Sequence, residues 1–441
     1  HPLPPIASSM RIARIRYLWL SFYRRLMLIV LVINIIAISA LVGKEARHRG
    51  SFGYNQAATA VGANLSIAVL MRQEHVINLL FRIALLLPHS TPLQIRRLAA
   101  KLTYNNGGVH SGAAISALLW YVFFSVLVVR QWVGPPIMLR AVVALTAVLL
   151  ASFVTIVGMS HPAVRRAYHN QWELTHRFGG WTAIALVWAQ FLILAVVGAN
   201  AGHTSLGLAL IQQPNFWFLI IITCCLIYPW LRTKRLSFEA KQLSTHATQL
   251  HFNDRKLLTC RGVRLAHNPL LECHGFATIP DTDTDKGYSV VISNAGDFTR
   301  KMIDSPPKHI WIRGAPTTGV MRVSSMFHPL VVVATGSGIG PCLSWLNMHH
   351  GYPVRVIWSA RSPETTYQST MIRDVLRADP QALIIDTKQT GTPDLVALVY
   401  SLVKQSGAEA ITIIANPKVT QDVVFGMEAR KIAAFGAIFD S

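Results

Sequence analysis

Acidic residues are scarce in this chain: 20 Asp and Glu stand against 41 Lys and Arg in 441 residues, for a formal charge of +21. A surplus of that size suits nucleic acid, but no basic block with interleaved aromatics is present. Many of the cations instead flank apolar runs, as positive-inside topology requires, which argues against a nucleic-acid partner. Cysteine is also sparse. The five, Cys224, Cys225, Cys260, Cys273 and Cys342, show no metal-ligand spacing and no even disulfide framework. Cys224 and Cys225 adjoin within an apolar run and are expected to fill helix surface. There is no internal repeat and no low-complexity tract. Apolar runs of near-spanning length crowd the first half and are missing from the second. With 52% hydrophobic and 14% charged residues, this is not an ordinary soluble chain. It opens on His1-Pro2 rather than Met, as expected for a piece of a longer product or one lacking a partner domain on its N-terminal side. No cleavable signal peptide is evident, and the first apolar run is long enough to remain as an anchor.

The first half reads as a multi-pass membrane region. Residues 1–25 form a basic interfacial segment, with Arg11, Arg14, Arg16, Arg24 and Arg25 beside Trp19 and Tyr23. Within 26–235, six spans are expected at 26–42, 56–71, 110–129, 137–159, 178–197 and 216–231. Six spans put both chain ends in the cytosol. The basic loops 88–109 and 160–177 then lie inside, and 198–215, without Lys or Arg, lies outside. Lys44, Arg47 and Arg49, in an outer loop, run against that rule. The segment 72–109, with Arg82, Arg96, Arg97 and Lys101, reads as cytosolic or interfacial helices broken at Pro88 and Pro92.

Past Arg235 the texture changes to short strand-like runs between turn signals. Residues 236–326 read as a small antiparallel barrel. Residues 327–441 alternate strands, at 330–334, 354–359, 382–386 and 410–415, with helical stretches, the pattern of a doubly wound parallel sheet. The chain is organised around Pro329-Leu330-Val331-Val332-Val333-Ala334-Thr335-Gly336-Ser337-Gly338-Ile339-Gly340-Pro341-Cys342. A buried β-branched strand runs into glycines that let the backbone turn sharply, and a helix from about Pro341 aims its N–H groups at a phosphate. The competing reading is a strand-to-helix turn with no ligand.

Six spans, a barrel and a nucleotide sheet resemble the ferric-reductase and NADPH-oxidase superfamily of membrane flavocytochromes. Gly107-Gly108-Val109-His110-Ser111-Gly112 and Thr175-His176-Arg177-Phe178-Gly179-Gly180-Trp181 look most like its fungal TmpA-type membrane flavoprotein group. The resemblance implies that NADPH passes a hydride to FAD, and FAD single electrons to haem. For FAD it points to Glu272-Cys273-His274-Gly275-Phe276-Ala277-Thr278, where His274 and Phe276 stand but the expected hydroxyl is absent at Ala277. Thr278 comes one position late, on the opposite strand face. Gly296-Asp297-Phe298-Thr299 is similar to the family's Gly-Asp-Trp-Thr, with Thr299 near the flavin phosphates. For NADPH it points to Gly336, Ser337, Gly338 and Gly340, and to Arg361 in Ser359-Ala360-Arg361 for the 2′-phosphate. The family's Cys-Gly-Pro becomes Ala415-Asn416-Pro417, and its Gly-Pro-Tyr-Gly becomes Gly314-Ala315-Pro316. For haem iron it points to His110 and His176, at matched cytosolic depth. The outer positions, at 123–124 and 189–190, hold no usual ligand, so at most one haem b is implied. Each assignment has a plainer counterpart: a core histidine at His274, a solvated Arg361, and interfacial polar residues at His110 and His176.

The expected function is a membrane-bound oxidoreductase carrying electrons from NADPH through FAD, and at most one haem, to a small-molecule acceptor. No residue is singled out as catalytic. The alternatives are a haem-free membrane flavoenzyme and a signalling or scaffold homologue without turnover, which the altered Ala277, Ala315 and Asn416 favour. A transporter ranks below these, because only Asn34, Asn64 and Gln190 offer polar groups inside the spans.

Overall fold

The computed structural model describes residues 2–48, 52–132, 134–281 and 287–437, so Arg49 lies outside the described residues. The chain forms two compact units. One is helical and comprises 23–73 and 106–228; the other gathers the residues up to 22, 74–105 and those from 229 onward.

Among the described residues, five helices are long and apolar enough to cross a membrane: Phe22–Arg47, Gly107–Arg130, Pro136–Met159, His169–Ala201 and Pro214–Leu231. The remaining expected span, Tyr54–Leu70, has 17 residues and buries the polar Asn64 and Ser66. The segment 161–177, expected as a polar loop, is instead helical. Pro162–Ala167 forms a short helix, and the next helix starts at His169. That helix widens into a π turn at Thr175–Gly179, which carries His176.

Glycine decides how the helices Phe22–Arg47 and Gly107–Arg130 meet. A Cβ on Gly108 would lie 2.2 Å from the Tyr23 carbonyl oxygen, and one on Gly112 would lie 2.7 Å from that of Met27. Only small residues allow backbones so close. The polar groups inside the apolar helices are spent on one another. Asn34 Oδ1 accepts from Asn64 Nδ2 (2.9 Å) and Trp120 Nε1 (2.8 Å), while Gln190 accepts from the Tyr121 hydroxyl and donates to Thr146. Such bonds hold helices together, which leaves these residues doing structural work rather than lining a transport path.

The second unit begins with an antiparallel sheet of eight strands: β1 (Lys234–Ser237), β2 (Glu239–Ser244), β3 (Ala247–Phe252), β4 (Arg261–Ala266), β5 (His274–Pro280), β6 (Tyr288–Ser293), β7 (His309–Ile312) and β8 (Thr317–Thr318). Their order is β1-β7-β4-β5-β6-β3-β2, with β8 beside β4. β1 and β2 are the two ends of that path, yet only Phe238 separates them. The sheet therefore curls, as a half-barrel. It starts at Lys234, slightly earlier than expected.

A five-stranded parallel sheet follows: β9 (Leu330–Thr335), β10 (Val354–Ala360), β11 (Leu383–Asp386), β12 (Ala410–Ile414) and β13 (Ala433–Gly436), ordered β11-β10-β9-β12-β13. Four strands lie where the sequence places them. β13, Ala-Ala-Phe-Gly, has little β propensity and was not expected. The chain lays strands outward from β9 on one side and then returns to its other side, so the switch point lies between β9 and β12.

The helices Glu74–Ala84 and Leu93–Tyr104 pack into this second unit. Phe81, Ala84 and Ala100 share a core with β9 and β10. Arg96, 4% exposed, grips Glu409 through two 2.7 Å bonds and donates to the carbonyls of Met326 and Thr91. Buried Glu428 accepts from Lys101 (2.7 Å) and Arg97. Two-pronged, charge-assisted bonds of this kind fix orientation as well as attraction. The Arg96 guanidinium holds the Glu409 carboxyl below its usual range.

Candidate functional site

The site begins where β9 ends. Val331, Val332, Val333 and Ala334 are fully buried, as the middle strand of a covered parallel sheet requires. The strand leads into the Gly336–Gly338 turn and the helix Ile339–Leu346. Gly336 has φ +53°, a left-handed conformation open to glycine. A Cβ on Gly338 would lie 2.2 Å from the carbonyl oxygen of Ile414, the last residue of β12. The turn therefore seats against the end of the neighbouring strand, at the switch point, with the first N–H groups of a helix beside it.

The same turn touches the barrel. Ser337 Oγ lies 2.7 Å from Ser293 Oγ at the end of β6, and a Cβ on Gly340 would meet Val291 at 3.4 Å. Trp358 Nε1 donates to the Gly336 carbonyl at 3.0 Å. The Tyr367 phenol also reaches the turn, bonded to Ser337, and burial raises its pKa. Ser293, Trp358 and Tyr367 carried no motif, and nothing in the sequence marked them.

Arg361 directly follows β10 at the same edge of the sheet and is exposed. Its loop is pinned: Thr366 Oγ1 donates to the Arg361 carbonyl at 3.0 Å, and Ser362 N donates to Asp386 Oδ1 at 2.8 Å. The Ser362 and Lys388 N–H donors hold the Asp386 carboxyl below its usual range. The turn after β12 is committed locally, since Asn416 Oδ1 accepts from Val419 N at 3.0 Å and caps the helix Pro417–Glu428.

The residues of the flavin motifs gather elsewhere on the barrel. His274 stacks on Phe298 with ring centres 4.2 Å apart and bonds to Glu272 at 3.1 Å; Phe276 lies 6.0 Å from the same Phe298. Thr299 Oγ1 accepts from the N–H groups of Ala295 (2.8 Å) and Gly296 (3.0 Å), closing the start of the helix Asp297–Asp304. Thr278 is fully buried, and its hydroxyl donates to the Arg261 carbonyl at 3.0 Å. Strand alternation separates the two groups. His274, Phe276 and Thr278 share one face of β5, whereas Ala277 and Ile279 share the other, and Ile279 packs with Cys342 and Leu343 of the glycine helix. The structure thus joins Ser337, Gly338 and Gly340 to the barrel, and joins His274, Phe276 and Thr299 around Phe298, but does not merge the two groups.

In the helical unit His110 and His176 face each other, with ring centres 6.2 Å apart and planes at 62°. His110 Nδ1 lies 2.7 Å from the Ala68 carbonyl oxygen. A carbonyl only accepts, so Nδ1 carries the proton and Nε2 the lone pair, the usual arrangement of a metal-binding histidine. The pair would supply two imidazole donors to one iron, beside Arg72. Four turns along, the matching level is filled by packed side chains: Tyr121, Phe124 and Gln190 are buried, the last in its bonds to Tyr121 and Thr146. Among the described residues, no group of three or more His, Cys, Asp or Glu is placed to hold a metal ion.

Residues 320–441 match the family described as the Adenylate-forming reductase 03009 C-terminal domain. The chain is 42% identical over 439 residues to Adenylate-forming reductase 03009 of Coprinopsis cinerea, and 42% identical over 441 residues to Adenylate-forming reductase 06235 of the same organism. Both alignments cover 99% of this chain and 42% of the relative, so the chain spans less than half the length of these proteins. Among solved structures, it is similar to a ferredoxin NADP+ reductase from Neisseria gonorrhoeae with bound FAD and NADP. The identity is 15%, the likeness covers 47% of this chain and 99% of that one, and the TM-score is 0.38. A score of that size carries no functional argument.

Proposed function

We propose that this chain is the electron-transfer part of a multi-pass membrane oxidoreductase, with both ends cytosolic, that carries reducing equivalents from NADPH through FAD to a small-molecule acceptor. The observation that carries the reading is the Gly336–Gly338 turn at the switch point, set against the barrel through Ser337 and Ser293. There the helix N-terminus and the half-buried glycine backbone would offer a pyrophosphate its seat. Arg361, on its pinned loop at the same edge, would read a 2′-phosphate with two parallel bonds. His274 and Thr299 would serve the flavin side, and Phe276 and Phe298 its apolar wall. When bound, a flavin supplies the exchange between two-electron and one-electron chemistry.

We assign His110 and His176 to a single haem. The Ala68 carbonyl would orient one imidazole and the π turn would set the other. The packed level at Tyr121 and Gln190 argues against a second haem, so a ferric-reductase or oxidase path across the whole membrane is not favoured. An acceptor reached from the cytosol or from within the membrane suits the chain better. The word reductase in the names of both fungal relatives supports a redox role.

The test is nucleotide preference. Arg361→Ala should weaken NADPH binding about tenfold or more, from loss of a charged bond of roughly 1.5–3 kcal/mol, and leave NADH unchanged. Equal losses for both nucleotides, or none for either, would remove Arg361 from the reading. A second reading, a homologue without turnover, draws on Asn416 capping its own helix and Thr278 bonding its own sheet. It expects flavin that is retained but not bleached by NADPH.

A further inference from the structure

We infer that the second unit carries a binding site for an anionic phospholipid where the last apolar helix hands the chain to the barrel. A cavity of about 650 Å³ opens there, lined by Trp230, Thr233, His267, Asn268, Pro269, Leu270 and Trp311. The glycine turn contributes no residue to it, and it adjoins the Phe298 cluster only through His267, whose ring centre lies 4.9 Å from that of Phe298.

Three observations identify its occupant. The first is depth in the chain. Trp230 lies in the final turn of the helix Pro214–Leu231, which crosses the membrane in the reading above, on which this inference rests. An indole at a helix end is what the headgroup layer selects, since its ring is apolar and its N–H group polar, and Trp311 of β7 adds a second indole to the cavity wall. The second is the rim. Leu270 of the lining is 50% exposed, and the chain neighbours of Trp230 and Leu270, Leu231 and Leu271, are 76% and 55% exposed, apolar surface that water disfavours and acyl chains would cover.

The third is charge. Arg232, Lys234 and Arg235 are exposed, and 226–238 contains no Asp or Glu. Arg235 stands directly opposite Trp311 in the β1–β7 ladder, so its side chain leaves the sheet on the face that presents Trp311 to the cavity. The Arg313 guanidinium lies 4.3 Å over the Trp230 ring and stiffens that wall. An apolar slot with cations at its edge matches a lipid whose phosphate meets Arg232 and Arg235 while its chains run along the indoles and leucines. A zwitterionic lipid would give up most of the charge term.

The full chain, extracted in mild detergent, would be titrated with phosphatidylserine and, separately, with phosphatidylcholine, and bound lipid counted by native mass spectrometry. Phosphatidylserine should be retained in preference. Arg235→Gln and Arg232→Gln should each weaken retention by about fivefold, the effect of one basic residue near an anionic surface. The double variant Leu270→Glu/Leu271→Glu changes only exposed positions and should reduce retention with the protein still folded. Equal retention of both lipids, or no change in these variants, would overturn the site. So would Trp311→Ala releasing flavin while lipid binding stays intact, because the cavity would then belong to the cofactor. Release of the chain from membranes by an alkaline carbonate wash, before any detergent, would instead sink the membrane reading itself.

Discussion

Gly336–Gly340 in the parallel sheet and Gly107–Gly112 in the helical unit are alike as sequence and alike in one contact. A Cβ on Gly338 would stand 2.2 Å from a carbonyl oxygen of Ile414, and a Cβ on Gly108 would stand 2.2 Å from that of Tyr23. In both places glycine lets one backbone lie against another. Both also stand in the first turn of a helix, Ile339–Leu346 and Gly107–Arg130, where N–H groups have no partner within the helix. What differs is the setting. Gly338 seats its turn against the end of a neighbouring strand at the switch point of a parallel sheet, where a phosphate is proposed to bind. Gly108 lies on a long helix that packs along another, and close approach there produces helix contact.

Substitutions can break this comparison in graded steps. Gly338→Val should have the largest effect, about 3 kcal/mol of stability together with loss of NADPH binding, because the carbonyl in its way belongs to a central strand and cannot retreat. Thermal unfolding and nucleotide titration would show both. Gly108→Val should cost about 2 kcal/mol, since a helix can slide to relieve the clash, and should leave NADPH affinity unchanged. If both variants lost nucleotide equally, the two glycine stretches would not be distinct. Gly336→Ala should cost roughly 1–2 kcal/mol from its φ of +53° alone, with binding weakened in proportion. Gly180→Ala is the smallest and has the opposite sign. Nothing lies within 4 Å of its Cβ position, so helix propensity should stabilise the protein by roughly 0.5–1 kcal/mol.

Legibility in the sequence followed the strength of the local signal. β9, β10, β11 and β12 were readable because β-branched runs end at glycine or polar turn residues. β13 was not, because Ala433, Ala434 and Gly436 are held by pairing with β12 and not by preference. The helices at 74–84 and 93–104 were readable as helices broken near Pro88 and Pro92, but their destination was not. An amphipathic face with arginines looks the same whether it meets lipid headgroups or, as Arg96 does, a carboxylate 313 residues away. The glycine turn was legible at the candidate site, while its contacts with Ser293, Trp358 and Tyr367 depend on long-range packing that no spacing records. His110 and His176 were legible as a pair at matched depth. The π turn under His176 was not.

The most direct test of the account is an anaerobic visible absorption spectrum of the detergent-purified full chain, taken before and after NADPH. The account predicts a flavin band that bleaches on addition, with a single bis-histidine haem signature that disappears in His110→Ala and in His176→Ala. A preparation protected against cofactor loss that shows no flavin, or a flavin that NADPH leaves oxidised, would contradict it.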